Sequence, residues 1–146
     1  MKINKKYRVV LDTNVLLVSI SSFSKYHWIF QLIIKQRIDI FITNDMLLEY
    51  EEIIGIRFNK ETARNVIRTL IELSNVIPIS IYYNFDLIKN DPDDNKFVDC
   101  AIAGNVDFIV TNDGDFNILK TIDFPKVPIL NIIEFKEKMI KERLIE

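Results

Sequence analysis

The chain has 146 residues, 49% hydrophobic and 27% charged, with a net charge of −2. That describes a single folded domain rather than a disordered chain, and no apolar run approaches the roughly 18 residues of a membrane span. A lone cysteine excludes an internal disulfide and fits a reducing cytoplasm, a lone histidine excludes paired-histidine chemistry within one chain and a His-rich zinc site, and the three glycines stand too far apart for a phosphate-cradling loop.

The basic start, Met1 to Arg8, leads into the apolar stretch Val9–Leu11, which Asp12 stops too early for a signal peptide. Tyr7 to Leu11 is therefore a strand candidate. Lys25 to Gln36 carries Trp28, Ile29, Leu32 and Ile33 at helical spacing. Asp39 to Ile42 is a second short strand. Thr43 or Asn44 can cap a helix that runs to Gly55 as its C′ residue. Asn59 can cap another, Lys60 to Asn75, with Ala63, Val66, Ile67, Leu70 and Ile71 on one face. Val76 to Ile81 is strand-like, and Pro78 assigns it to an edge. Tyr82 to Asn90 has no clear period.

Asp91-Pro92 opens the next helix, with proline at the first helical position, and this helix runs to about Gly104. Asp107 to Thr111 is a strand, Asp113 to Leu119 a short helix, Val127 to Ile132 the last strand, and Glu134 to Glu146 a charged C-terminal helix. There is no internal repeat or linker. Strands alternating with helices predict one domain, residues 1–146, built on a parallel sheet covered on both faces.

Eight acidic residues, all aspartates, fall between Asp86 and Asp115, against only Lys89 and Lys96. Asp12 and Asp113 each follow a strand directly. In an open parallel sheet, ligands bind beyond the strand C-termini, at the point where strand order reverses. The two aspartates converge there only if their strands are neighbours. Unpaired carboxylates at close range raise each other's pKa, and a divalent cation removes that penalty. Oxygen-only ligation suits Mg²⁺ or Mn²⁺. Each aspartate taken singly also serves as a plain cap.

Helical phase turns Asp94 towards the buried side marked by Phe97 and Val98, leaves Asp93 ambiguous and sets Asp99 on the solvated side. On the helix after the second strand, Met46, Tyr50 and Ile53 form the apolar centre. Glu49 borders it on one side and Glu51 on the other, Glu52 faces away, and phase does not choose between the first two.

These segments together carry a resemblance. Val9-Val-Leu-Asp12-Thr-Asn14, Thr43 with Glu49-Tyr50, Asp91-Pro-Asp-Asp94 with Ala101, and Val110-Thr-Asn-Asp113-Gly-Asp115-Phe116 resemble a PIN domain, in order and over nearly the whole chain. The likeness is closest to VapC-type toxins of toxin–antitoxin pairs. It implies a three-layer α/β sandwich with parallel strand order 3-2-1-4-5, which sets the Asp12 and Asp113 strands side by side. It further implies a Mg²⁺- or Mn²⁺-dependent endoribonuclease leaving 5′-phosphates, with Asp12, Glu49, Asp94 and Asp113 as the acidic quartet. Asp12, Asp94 and Asp113 would hold the metal, and Glu49 would either ligate or orient water. Asn14 and Thr111 match supporting polar positions, and Asp115 matches an additional acid. RNA as substrate, a small antitoxin partner and a homodimer follow from the same likeness.

Two other readings compete. One is a non-catalytic PIN-like module binding RNA or protein. The other is a receiver-type signalling domain, which should carry an acidic pair after its first strand and a lysine after its last; neither is present. Lys60, Arg64 and Arg68 form a basic stripe at four-residue spacing that either contacts phosphates or is a solvated face, with Glu61 and Glu72 as ion-pair partners for it and for Arg57. Cys100 reads as core rather than a nucleophile, His27 has no partner visible in sequence, and Phe23, Tyr26 and Trp28 read as core packing by default, with a nucleic-acid platform or a partner surface as the alternatives.

Overall fold

The computed structural model describes residues 6–145; the expectations for Met1–Lys5 and Glu146 lie outside the described residues. Five strands, β1 (Arg8–Leu11), β2 (Asp39–Ile42), β3 (Val76–Pro78), β4 (Phe108–Val110) and β5 (Ile129–Leu130), form one sheet in the order β3-β2-β1-β4-β5. Every neighbouring pair is parallel. Helices α1 (Thr13–Ser19), α2 (His27–Ile34), α3 (Asn44–Arg57), α4 (Lys60–Glu72), α5 (Asn95–Ala103) and α6 (Ile132–Lys141) surround it. This is the α/β order expected above, and it differs from the 2-1-3-4-5 order of receiver-type sheets.

β1 lies at the centre. Val9, Val10 and Leu11 are 0–1% exposed, as a strand covered on both faces requires. Strand order reverses between β1 and β4, where Val10 pairs with Ile109 and Leu11 with Val110. The Asp12 N–H donates to the Val110 carbonyl at 3.1 Å, carrying the pairing one residue past the strand ends.

The element boundaries differ from the sequence reading where a side chain or a tertiary contact intervenes. α1 follows β1 without a loop, although no helix was expected there. Its seven residues are too few to show a period, and Thr13, Val15, Leu16, Leu17 and Ser19 are all buried. α3 does not end before Gly55 but continues to Arg57. A Cβ on Gly55 would sit 3.9 Å from that of Ala63, so this glycine marks the contact with α4 rather than a cap. α4 stops at Glu72 instead of Asn75. Asn75 leaves the helix because its buried amide donates to the carbonyls of Ile33 and Ile38 at 3.0 and 2.8 Å. Ile71, still within α4, is 63% exposed and does not belong to the packed face.

Pro78 closes β3 at the sheet edge, as expected. The segment from Asp91 begins with a 3-10 turn, Pro92–Asp94, before α5 starts at Asn95. α5 ends at Gly104, where a Cβ would stand 2.8 Å from the Phe41 ring, so only glycine fits. The segment after β4 is a 3-10 helix, Gly114–Thr121, not an α-helix. β5 shrinks to two residues, and α6 starts early because Asn131 and Glu134 form a reciprocal capping box. Among the described residues no helix is long and apolar enough to cross a membrane.

Candidate metal centre

The strand ends beside the reversal point gather the acidic side chains. Asp12 leaves β1 in an extended conformation and starts α1, its carbonyl accepting from the N–H groups of Val15 and Leu16. Its carboxylate is 6% exposed. The Thr111 hydroxyl donates to Asp12 Oδ2 at 2.8 Å and accepts from the Asp113 N–H at 3.0 Å. One threonine thus ties together the two aspartates at the ends of β1 and β4. Burial pushes the Asp12 pKa above its ordinary 3.8, and Asp113 and Glu49 add repulsion; the Thr111 hydroxyl and the Thr13 N–H oppose the rise.

Asp94 arrives from the 3-10 turn. It is buried, and its Oδ2 has no hydrogen-bond partner among the described residues. Its pKa is pushed up to about 7, first by burial and then by the charges of Asp91, Asp113, Asp12 and Asp115. One carboxylate oxygen from each of Asp91, Asp94 and Asp115 lies within 4.8 Å of the others, a span that one cation can bridge. Asp91 was read only as the opening of a helix. It does cap the turn, its Oδ1 accepting from the Asp93 N–H at 3.2 Å. The sequence signal for this proximity is its i−3 relation to Asp94, because a 3-10 turn eclipses residues three apart. Asp115 is placed by its N–H, which donates to Asp113 Oδ1 at 2.9 Å.

Of the two glutamates that phase left open, Glu49 is the one that meets residues beside the cluster. The Thr13 hydroxyl donates to Glu49 Oε2, and the Lys96 ammonium donates to Oε1 at 2.6 Å. Glu51 is exposed and lines a separate groove between α3 and α4 with Lys60 and Arg64. In the sequence Lys96 stands out only as a charge against the aspartates. Burial lowers its pKa, but the hydrogen bond to Glu49 and the charges of Glu49, Asp93 and Asp45 raise it overall. Tyr50, next to Glu49, is 1% exposed and donates to the Leu11 carbonyl at 2.5 Å, which fixes α3 to the end of β1.

Several expectations are corrected. Asp99 is not solvated: it is 5% exposed, and its Oδ1 accepts from the Phe85 N–H at 3.1 Å, pinning the irregular segment before the cluster. Asn95 pins the same segment through the Ile88 N–H and carbonyl at 2.8 and 2.9 Å. Phe23 is 98% exposed, not core. His27 does have partners, with Nδ1 2.8 Å from the Ser19 carbonyl and Nε2 2.9 Å from Gln31 Nε2. Asn14 is exposed and lines a cavity with Asp12 and Asp113. Lys60, Arg64 and Arg68 are exposed on α4, and none forms an ion pair among the described residues. Cys100 is fully buried, and burial pushes its thiol up to about 12.

The raised Asp94 pKa makes a stability prediction. The folded chain holds this proton up to about pH 7, whereas an unfolded aspartate releases it near 3.8. The group therefore costs no stability below pH 3.8 and an increasing amount as pH rises towards 7. In EDTA near pH 7.5, Asp94→Asn is expected to raise Tm by about 3–6 °C. The gain should shrink as pH is lowered towards 4.5. A thermal melt in which the variant is less stable at pH 7.5, or gains equally at both pH values, refutes this.

The fold is similar to solved structures. A chain of VapBC2 from Rickettsia felis, in a structure bound to a DNA fragment from their promoter, superposes with a TM-score of 0.59 at 21% identity, covering 85% of this chain and 98% of that one. FitAcB from Neisseria gonorrhoeae gives 0.53 at 17% identity, covering 84% and 96%. No curated protein matches the sequence. The PIN domain family model matches residues 8–115, from the first residue of β1 to the last acid of the cluster. The chain belongs to the PIN domain family.

Proposed function

We propose that this chain is a metal-dependent endoribonuclease, a single PIN domain over residues 1–146, and the toxin of a toxin–antitoxin pair. The observation that carries the nuclease reading is the buried, unpartnered Asp94 Oδ2 among converging aspartates. A buried polar atom without a partner is costly, and a cation satisfies it. The donors are all oxygen, which fits Mg²⁺ or Mn²⁺. By the resemblance Asp12, Asp94 and Asp113 would hold the ion, whereas the carboxylates within bridging distance of one another are those of Asp91, Asp94 and Asp115. When bound, such an ion lowers the pKa of an attacking water and offsets charge on the phosphodiester.

The chain's own residues prepare that chemistry. Thr111 fixes the relative placement of Asp12 and Asp113. Thr13 and Lys96 occupy one Glu49 oxygen each, so Glu49 fits an orienting role for water better than a primary ligand role. The resemblance adds 5′-phosphate products. The likeness to VapBC2 supports the finer reading of a toxin with an antitoxin partner; the family resemblance adds a homodimer, and the lone cysteine fits a reducing cytoplasm. A non-catalytic binding module would have no use for the unpaired Asp94 oxygen.

Purified protein titrated with Mn²⁺ and incubated with single-stranded RNA and DNA tests the nuclease reading. RNA should be cut only with metal, and EDTA should abolish cleavage. Cleavage persisting in EDTA or in Asp113→Ala, with contaminating nuclease excluded, overturns it. Co-expression with a small neighbouring reading frame tests the toxin reading: the two should co-purify, and RNA cleavage should fall.

A further inference from the structure

Two cavities open beside the acidic cluster. One, of about 370 Å³, is lined by Asp12, Asn14 and Asp113. The other, of about 470 Å³, runs past Asn117 and Lys120 to Asn131 at the start of α6. Both are lined by Tyr26, Asn112, Asp113 and Ile132, so they form one groove leading away from Asp12. The volume of the second suits a small organic ligand, and its wall is mixed, with the amides of Asn112, Asn117 and Asn131 set among Tyr26, Ile129 and Ile132.

The groove wall is held in place from three directions. The Tyr26 N–H donates to Ser24 Oγ at 3.0 Å, and the Ser24 hydroxyl donates to the Val18 carbonyl at 2.5 Å, which anchors the turn before α2. Asn112 Oδ1 accepts from the Ile132 N–H at 3.0 Å, so Asn112 meets a ligand through its amide donors. Asn131 and Glu134 are engaged with each other in the capping box, which commits the Glu134 carboxylate on that wall. Lys120 is exposed and makes no ion pair among the described residues. The Lys25 ammonium stands over the Tyr26 ring, 5.1 Å from its centre.

We propose that this groove is a nucleotide subsite, receiving one residue of single-stranded RNA next to the linkage at the acidic cluster; the proposal rests on the nuclease reading above. An aromatic wall stacks on any base, and amides meet the exposed base edge of an unpaired strand. Lys120 meets a backbone phosphate, which the carboxylates of the cluster would otherwise repel. A free anion would gain only the lysine and would face Asp113. A nucleotide uses the whole groove.

The test uses the full chain and a labelled single-stranded oligoribonucleotide. Steady-state cleavage with Mn²⁺ should show KM raised by about 5–50-fold in Tyr26→Ala, with kcat nearly unchanged. Lys120→Gln, a surface change that leaves folding intact, should also raise KM. It should lower the slope of log affinity against log salt by about 0.7. Fluorescence anisotropy on an Asp12→Asn background reads binding without cleavage. If no variant or wild-type protein cuts RNA, the nuclease reading fails while anisotropy still reads the groove. The subsite is overturned if RNA binds equally well with and without Lys120→Gln and Tyr26→Ala, or if Lys35→Gln, outside the groove, weakens binding as much as Lys120→Gln.

Discussion

Asp12→Asn is expected to lower Mn²⁺ affinity and RNA cleavage together, by more than the roughly 10–100-fold typical of losing an outer-shell partner. The size follows from position. Asp12 is 6% exposed at the end of the central strand, and Thr111 links it to Asp113. Removing its charge takes away attraction for a cation at a site screened from water, where an ionic contact is worth most. The asparagine still accepts the Thr111 hydrogen bond, so the fold should hold. Its Tm in EDTA should equal or exceed that of the wild type, since burial and the neighbouring acids disfavour the charged carboxylate. Calorimetric titration with Mn²⁺ and a single-turnover cleavage assay check both halves. Equal metal affinity in variant and wild type sinks the ligand assignment.

Glu49→Gln should weaken metal binding or rate by roughly 10–100-fold, while Glu51→Gln should change little. Glu49 is clamped at both oxygens, by the Thr13 hydroxyl and the Lys96 ammonium. Glu51 is exposed and lines the α3–α4 groove instead. The clamp gives a companion variant. Lys96→Met frees one Glu49 oxygen and removes a positive charge near the cluster, and should reduce kcat by a comparable factor. Lys96→Arg should restore much of it, because guanidinium can donate to the same carboxylate. Measurements at saturating Mn²⁺ separate lost affinity from lost rate. A silent Glu49→Gln beside a damaging Glu51→Gln would require withdrawing Glu49 from the site.

The strands that position the site were legible because each is a short apolar run stopped by a polar residue: Val9–Leu11 before Asp12, and Phe108–Val110 before Thr111. Local chemistry also marked the starts of α3 and α4. Thr43 accepts from the Met46 N–H at 3.2 Å and Asn59 from the Thr62 N–H at 2.7 Å, as side-chain caps do. Helix ends were less legible. Asn75 leaves α4 for carbonyls 42 and 37 positions away in sequence, which no local pattern announces. The burial of Asp99 was missed for a related reason: its partner, the Phe85 N–H, belongs to a segment without any period.

The sequence by itself determined the alternation of strands and helices and the placement of Asp12 and Asp113 after strand ends. These follow from side-chain type and from periods of two and 3.6, which act over a few residues. Tertiary structure alone decided three things: that Glu49 rather than Glu51 meets Thr13 beside Asp12, that Lys96 clamps it, and that Asp91 and Asp115 stand within bridging distance of Asp94. Each depends on elements that meet only when the sheet closes in the order β3-β2-β1-β4-β5. Phase along one helix fixes the angle of a side chain about that axis. It carries no information about which neighbour lies across the gap, and there the charge of Lys96 and the hydroxyl of Thr13 make the difference.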